Sequence, residues 1–139
     1  MKRILMISII ASIFGGCVDN VPYTNVAADE FEKLIAADNV QVLDCRTIEE
    51  YEEGHIQGAL LADVKLENFT EVASELLSKD APVAVYCRSG RRSITACELL
   101  SKAGYGKLYN LETGIIGWKE AGKAVCQRDS TQSKTLVQE

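Results

Sequence analysis

The pattern of hydrophobic and polar positions divides the chain into alternating strand-like and helix-like segments. Short runs rich in apolar and β-branched residues predict strands at 40–43, 59–61, 83–86 and 107–111, with an edge strand near Tyr23. Apolar side chains at helical spacing predict helices over 27–37, 66–77, 93–103 and 115–121. Strands that alternate with helices, the central ones apolar throughout, indicate an α/β fold whose parallel sheet is covered by helices on both faces.

A short helix is also predicted directly after the strand at 40–43. Thr47 can cap its N-terminus, Glu50 three residues later completes a capping box, and Gly54 ends it. In sheets of this type, ligands bind beyond the carboxyl ends of the strands. Three segments follow such strand ends and are the candidate parts of a functional site: Asp44–Arg46, the loop that begins at Cys87, and Glu112–Gly114.

The first 17 residues have the pattern of an export signal. Lys2 and Arg3 precede an apolar run of 11 residues, Ile4 to Phe14, which is too short to span a bilayer comfortably. Gly15-Gly16-Cys17 then resembles the bacterial lipobox, although Phe14 stands where that motif usually has Leu. We therefore expect an exported domain, held at the periplasmic or outer surface of a bacterial membrane only by lipid on Cys17; plain secretion and an uncleaved anchor are the alternatives. The expected boundaries are a signal peptide at 1–16, a tether at 18–22, a domain at 23–127 and a polar tail at 128–139.

Metabolic labelling with a fatty acid tests the lipid anchor. We expect label on the wild-type protein and none on Cys17→Ala, because the Cys17 thiol is the expected attachment point. A chain that begins at Val18 should keep full activity, since the anchor contributes no residue to the site. Label that persists in Cys17→Ala would contradict the expected lipidation.

Charge and cysteine spacing restrict the classes of ligand. The formal net charge is −5, with 20 acidic and 15 basic residues, and two of the basic residues lie in the export signal. A domain this acidic has no global attraction for nucleic acid, so an anion site requires a local basic cluster. The five cysteines include no C-x-x-C pair and His55 is the only histidine, so we expect neither a metal site nor a cofactor. We expect a monomer.

One segment concentrates residues with chemistry, the loop from Cys87 to Ser93. It follows an apolar strand and opens a helix, so its backbone amides can form an anion-binding nest beside the positive end of the helix dipole. With three arginines in the same loop, the pKa of Cys87 should fall well below about 8.5. Gly90 permits a positive φ, and Ser93 is the expected N-cap. The alternative is a buried structural cysteine beside a solvated basic patch, but arginines at a helix N-terminus favour an anionic ligand.

Three motifs, in order along the chain, resemble the rhodanese family. The loop C-R-S-G-R-R-S at 87–93 is similar to the rhodanese loop C-x-x-G-x-R-[ST]. Residues 43–59 resemble the family signature D-x-R…E-[YF]-x-x-G-H-I-x-G-A, and 111–122 resemble L-x-G-G-x-x-x-W-x-x-A-G. Thr113 departs from the family pattern, which usually has Gly there. Together the motifs cover about residues 22–127.

The resemblance implies a five-stranded parallel sheet enclosed by helices and a sulfurtransferase of the single-domain thiosulfate type. Cys87 would attack the outer sulfur of a donor such as thiosulfate, become a persulfide, and pass the sulfur to cyanide, a thiol or a protein acceptor. Arg92 and the loop amides would stabilise the persulfide, while Arg88 and Arg91 would attract the small anionic donor. The substrate-binding residues would be Arg88, Ser89, Gly90, Arg91, Arg92 and Ser93.

We expect the residues of interest outside the loop to have structural roles. Asp44 and Arg46 are interpreted as bracing the loop or one another, with a catalytic role as the alternative. His55 belongs to the structural G-H-I turn and is not expected to act as a general base. Cys45 is interpreted as a buried filler, with a resolving thiol as the alternative, and Cys97 as a core residue.

Two other functions remain as alternatives. Cell-cycle dual-specificity phosphatases share the implied fold but need the loop pattern C-x5-R, whereas here Arg92 is five positions after Cys87 and the loop is one residue short. A persulfide carrier or binding module without turnover is the second alternative. Modules of that kind typically lose the cysteine, which this chain keeps.

Overall fold

The computed structural model describes residues 20–127 and confirms the α/β fold. The strands are β1 (Thr24–Val26), β2 (Gln41–Asp44), β3 (Leu60–Leu61), β4 (Val83–Tyr86) and β5 (Leu108–Leu111). The helices are α1 (Ala28–Ile35), α2 (Ile48–Glu53), α3 (Phe69–Leu76), α4 (Arg92–Lys102) and α5 (Gly114–Glu120). All strand pairs are parallel and form one sheet in the order β1-β5-β4-β2-β3. The predicted signal peptide, the lipid site at Cys17 and the polar tail lie outside the described residues.

The sheet separates two hydrophobic layers, which explains why its central strands are apolar throughout. Successive side chains of a strand point to opposite faces, so in β4 Val83 and Val85 join one layer while Ala84 and Tyr86 join the other. The first layer is completed by side chains of α3 and α4, and the second by side chains of α1, α2 and α5. The carboxyl ends of β2 and β4 are therefore enclosed from both faces.

The prediction from the sequence is confirmed for the start of α2 and is wrong for the start of α3. Thr47 and Glu50 form the predicted capping box at the start of α2. The prediction that α3 begins at Leu66 is wrong, because a turn occupies the preceding residues and the helix begins at Phe69. In that turn the Asp63 carboxylate accepts a hydrogen bond from the Lys65 amide at 2.9 Å, and Leu66 is 43% exposed. None of the helices between residues 20 and 127 has the length and apolarity that crossing a membrane requires.

Candidate active site

The register of the sheet brings two cysteines together at its carboxyl edge. Asp44 of β2 is paired with Tyr86 of β4, so Cys45 and Cys87 follow at the same level of adjacent strands. The Cys45 amide donates to the Tyr86 carbonyl at 3.0 Å, which continues the ladder past the end of β2. Both side chains are buried in the same hydrophobic layer. The first two strand-end segments named from the sequence therefore form one site.

The loop after β4 wraps around the sulfur of Cys87. The Gly90 amide donates to Cys87 Sγ at 3.1 Å, and the Ser93 hydroxyl lies 3.3 Å from the same atom. The prediction that Ser93 caps α4 is wrong, since the helix begins at Arg92 and the cap position is Arg91, without a side-chain hydrogen bond. Ser93 lies instead in the first helical turn, where its hydroxyl faces the thiol. Convergent donors around one sulfur atom make a site for a negatively charged sulfur.

The third strand-end segment holds this loop in place. The amides of Ile115 and Ile116, in the first turn of α5, donate to the carbonyls of Cys87 and Arg88 at 2.9 and 3.2 Å. Gly114 has a φ of 62°, and a Cβ there would lie 2.2 Å from the Arg88 carbonyl oxygen. The close approach of α5 to the loop therefore requires glycine at this position.

The surroundings of Cys87 strongly favour its thiolate. Hydrogen bonding from the Cys45 thiol contributes most to lowering the pKa of Cys87, to about 4, against the opposing effect of burial. The Ser93 hydroxyl and the backbone amides of Ser93 and Ser89 lower the pKa further. Cys45 Sγ also lies 3.4 Å from the Tyr86 carbonyl oxygen, but a thiolate is the stronger acceptor for its proton. These contacts favour the Cys87 thiolate at neutral pH, and the largest contribution comes from Cys45, which lies outside the loop to which the sequence points.

The pH dependence of alkylation tests this ionisation. Because the thiolate is the reactive form, the rate of Cys87 modification by iodoacetamide should be constant near neutral pH and fall in acid with a midpoint near 4. The stability that the thiolate contributes is fully present above the unfolded pKa of about 8.5 and is lost as pH falls through the folded value. Peptide mapping gives the rate for each cysteine, and faster labelling of Cys126 than of Cys87 would contradict the assignment.

The three loop arginines occupy different environments. Arg88 and Arg91 are exposed at the mouth of the loop. Arg92 is half-buried and makes a bidentate ion pair with Glu50, with N–O distances of 2.9 and 3.0 Å. Burial opposes ionisation of Glu50, but hydrogen bonding from Arg92 gives a net lowering of its pKa. The capping-box residue Glu50 thus also anchors the start of α4.

Asp44 and Arg46 brace one another beneath the loop. The Arg46 guanidinium donates to both Asp44 carboxylate oxygens at 2.7 to 3.1 Å and to the Gly54 carbonyl oxygen at 2.7 Å. The Tyr86 hydroxyl donates to the same carboxylate at 2.7 Å and accepts from the Ile56 amide at 3.0 Å. This buried network ties α2 and the chain after it to β2 and β4, which fixes the edge of the sheet from which Cys87 projects.

His55 takes part in the turn after α2. Its ring stacks on Tyr51 with a centroid distance of 3.7 Å, and Nδ1 donates to the Tyr51 carbonyl at 2.8 Å. Its backbone forms an isolated antiparallel bridge with Cys126. These contacts agree with a structural role. Across residues 20–127, no group of three or more His, Cys, Asp or Glu side chains is arranged to hold a metal ion.

Three contributors to the site are not predicted from the sequence: the Cys45 thiol as a donor to Cys87, the Tyr86 hydroxyl, and the Glu50–Arg92 ion pair. A signal for the first was present, because Asp44-Cys45-Arg46 and Tyr86-Cys87-Arg88 end two apolar strands with the same Cys-Arg pair. If those strands are adjacent and parallel, the two thiols must be neighbours. The sequence alone does not specify that adjacency.

Comparison with known proteins identifies relatives that share most of this domain. The family model for the rhodanese-like domain matches residues 27–121. A sulfurtransferase from Allochromatium vinosum is 37% identical over 91 residues, covering 66% of this chain and 82% of the relative. A thiosulfate sulfurtransferase from Coxiella burnetii is 33% identical over 98 residues, covering 70% of this chain and 88% of the relative. The solved structure of a rhodanese-related protein from Thermoplasma volcanium has a TM-score of 0.66 and 29% identity, covering 76% of this chain and all of that one.

Proposed function

This chain belongs to the rhodanese-like domain family, and from that membership we propose that it is a sulfurtransferase in which Cys87 carries the sulfur as a persulfide. Relatives named sulfurtransferases support the transferase class. The observation that carries the proposal is the loop around Cys87, in which the Gly90 amide and the Ser93 hydroxyl converge on Sγ at 3.1 and 3.3 Å. A thiolate with a pKa of about 4 is ready to attack without a general base.

The first half-reaction transfers one sulfur atom to the enzyme. The Cys87 thiolate attacks the outer sulfur of thiosulfate, the sulfur–sulfur bond of the donor breaks, and its electron pair leaves on sulfite. The product is an anionic Cys87 persulfide, and charge is conserved. Donors that hold Sγ in the resting enzyme lie where they can stabilise the terminal sulfur of the persulfide, as an oxyanion hole stabilises oxygen.

The second half-reaction regenerates the thiolate. An acceptor such as cyanide or a thiol attacks the terminal sulfur, the bond to Sγ breaks, and its electron pair returns to Cys87. Exposed Arg88 and Arg91 lie at the mouth of the loop, where they raise the local concentration of an anionic donor or acceptor although the chain as a whole is acidic. No resident cofactor is needed for either step.

Two variants distinguish an arginine that anchors the start of α4 from one that attracts the anionic donor. We expect Arg92→Ala to lower kcat/KM for thiosulfate by roughly tenfold, about 1.4 kcal/mol, because it removes the partner of half-buried Glu50 and loosens the start of α4. Arg91→Ala, at an exposed position, should lower it by less than about threefold. Thiocyanate formation from thiosulfate and cyanide measures both effects. A larger loss in Arg91→Ala than in Arg92→Ala would contradict these roles.

The same assay tests the proposed function against its alternatives. With excess thiosulfate and cyanide, an enzyme should form many equivalents of thiocyanate per protein, whereas a carrier without turnover should release at most one equivalent of sulfite. A phosphatase should instead hydrolyse an aryl phosphate. Turnover on thiosulfate is expected; phosphate release in the absence of thiocyanate would overturn the proposed function.

A further inference from the structure

A second thiol, that of Cys45, lies beside Cys87. The two residues directly follow the register pair Asp44 and Tyr86 in adjacent parallel strands. Neighbouring strands lie roughly 4.8 Å apart, which falls within the range of about 4.4 to 6.8 Å between the Cα atoms of a disulfide. Both side chains point into the layer that also contains α3 and α4. The pair therefore meets the backbone requirement for a sulfur–sulfur bond without movement of the sheet.

The two thiols differ in the element of the fold that surrounds them, although both are buried. Cys87 lies at the start of a loop that contains the exposed residues Arg88 and Arg91, whereas Cys45 follows the end of β2. A sulfur atom added to Cys87 would occupy the loop side, where the Gly90 amide approaches Sγ. Cys45 approaches the same Sγ from β2. The Gly90 amide and Cys45 thus reach Sγ from different elements of the fold, so the loop can hold a terminal sulfur while Cys45 contacts Sγ.

We propose that Cys45 resolves the Cys87 persulfide and releases the sulfane sulfur as sulfide, which makes the protein a sulfane-sulfur reductase when no external acceptor is present. This inference rests on the proposed function, because it starts from the persulfide. The Cys45 sulfur attacks Cys87 Sγ, the bond between Sγ and the terminal sulfur breaks, and the terminal sulfur departs with that electron pair. The Cys45 thiol loses its proton to water as the new bond forms, and the departing sulfur gains one from water and leaves as hydrosulfide, so protons and charge balance. The two cysteine sulfurs are oxidised to a disulfide while one sulfane sulfur is reduced, so a dithiol reductant is needed to restore the thiols.

The protonation of Cys45 fits this sequence of events. Burial, followed by the neighbouring Cys87 sulfur, raises the pKa of Cys45 well above its ordinary value. In the resting enzyme Cys45 is therefore a hydrogen-bond donor that stabilises the Cys87 thiolate and is not itself nucleophilic. Once Cys87 Sγ is bonded to a second sulfur, the negative charge moves to the terminal atom, which gains a proton from water as it leaves. An external acceptor in excess competes with this route and diverts the sulfur to transfer.

A single-turnover experiment without acceptor tests the inference. The full chain is reduced, freed of reductant and mixed with one equivalent of thiosulfate, and sulfite, sulfide and protein mass are followed. Wild type should release one equivalent each of sulfite and sulfide and lose two hydrogens, with the Cys45 and Cys87 peptides joined. Cys45→Ser should release sulfite but retain one added sulfur atom on the Cys87 peptide, and Cys45→Ala, which lacks a donor to Cys87, should do the same more slowly. Using both variants separates the resolving thiol from the hydrogen bond, because only the serine keeps a donor.

Two further variants serve as matched controls. Cys97→Ser removes a buried thiol of the same hydrophobic layer, and Cys126→Ser removes a half-exposed thiol; both should release sulfide as wild type does. Sulfite without sulfide from the wild type, or equal sulfide from Cys45→Ser, would overturn this inference alone. Absence of sulfite from the wild type would overturn the proposed function and this inference with it.

Discussion

Replacing Cys87 with serine is expected to lower sulfur transfer from thiosulfate to cyanide by at least about 1000-fold. The serine hydroxyl is not ionised near neutral pH, and its oxygen cannot form the persulfide on which both half-reactions depend. The loop should otherwise remain intact, since serine fits the space of the buried thiol and can accept the 3.1 Å hydrogen bond from the Gly90 amide. Thiocyanate formation under saturating donor and acceptor measures the loss.

The cysteine at position 97 provides the control for this substitution. Cys97 is also fully buried in the layer that contains Cys87, but it lies within α4 and not in the loop. Burial raises the pKa of Cys97 to about 12, so its thiol is protonated at neutral pH. Cys97→Ser should therefore retain most of the transfer activity. Equal losses in the two variants would show that disturbed packing, and not the missing nucleophile, explains the result.

Replacing Gly90 with alanine is expected to lower transfer by roughly 100-fold, the effect typical of losing an oxyanion-hole donor. Gly90 has a φ of 94°, and a Cβ there would lie 2.0 Å from the Glu112 carbonyl oxygen, so the loop must move away from β5. That movement carries the Gly90 amide away from Cys87 Sγ. The apparent pKa of Cys87 should therefore rise together with the loss of transfer, as alkylation against pH will measure.

The substitution Gly58→Ala is the control for Gly90→Ala, because it adds backbone strain without a clash of the new Cβ. Gly58 also has a positive φ, of 81°, but no atom lies within 4 Å of the position that a Cβ would take. Gly58→Ala should therefore cost about 1 kcal/mol of stability and leave the pKa of Cys87 unchanged. If Gly58→Ala and Gly90→Ala lower transfer equally, the loop does not act through the position of the Gly90 amide.

The helices and strands could be predicted from the sequence because each depends on residues that are close together along the chain. The apolar run at 83–86 is buried on both faces, and the capping box of Thr47 and Glu50 forms as its three-residue spacing predicts. The early start predicted for α3 failed because Leu66 continues the helical spacing but lies in a turn stabilised by Asp63. A periodic pattern does not distinguish the last residue of a turn from the first of a helix.

The candidate site was predictable only where its parts are close in sequence. The loop from Cys87 to Ser93 contains the nucleophile and two of the donors that contact it, the Gly90 amide and the Ser93 hydroxyl, so one segment was sufficient to identify the nucleophile. Glu50 and Arg92 are 42 residues apart, and their ion pair depends on how α2 packs beside the loop. Cys45 acquires its contact with Cys87 from strand order, which is a property of the whole chain.

The central claim is that sulfur passes through Cys87, and a rapid-quench experiment tests it most directly. Wild-type protein is mixed with thiosulfate labelled at its outer sulfur, quenched at short times, and digested so that each cysteine is found on a separate peptide. The label should appear on the Cys87 peptide before it appears in sulfide or, after a cyanide chase, in thiocyanate. Label on Cys45 or Cys126 alone, or labelled thiocyanate that forms without any labelled protein, would contradict the account.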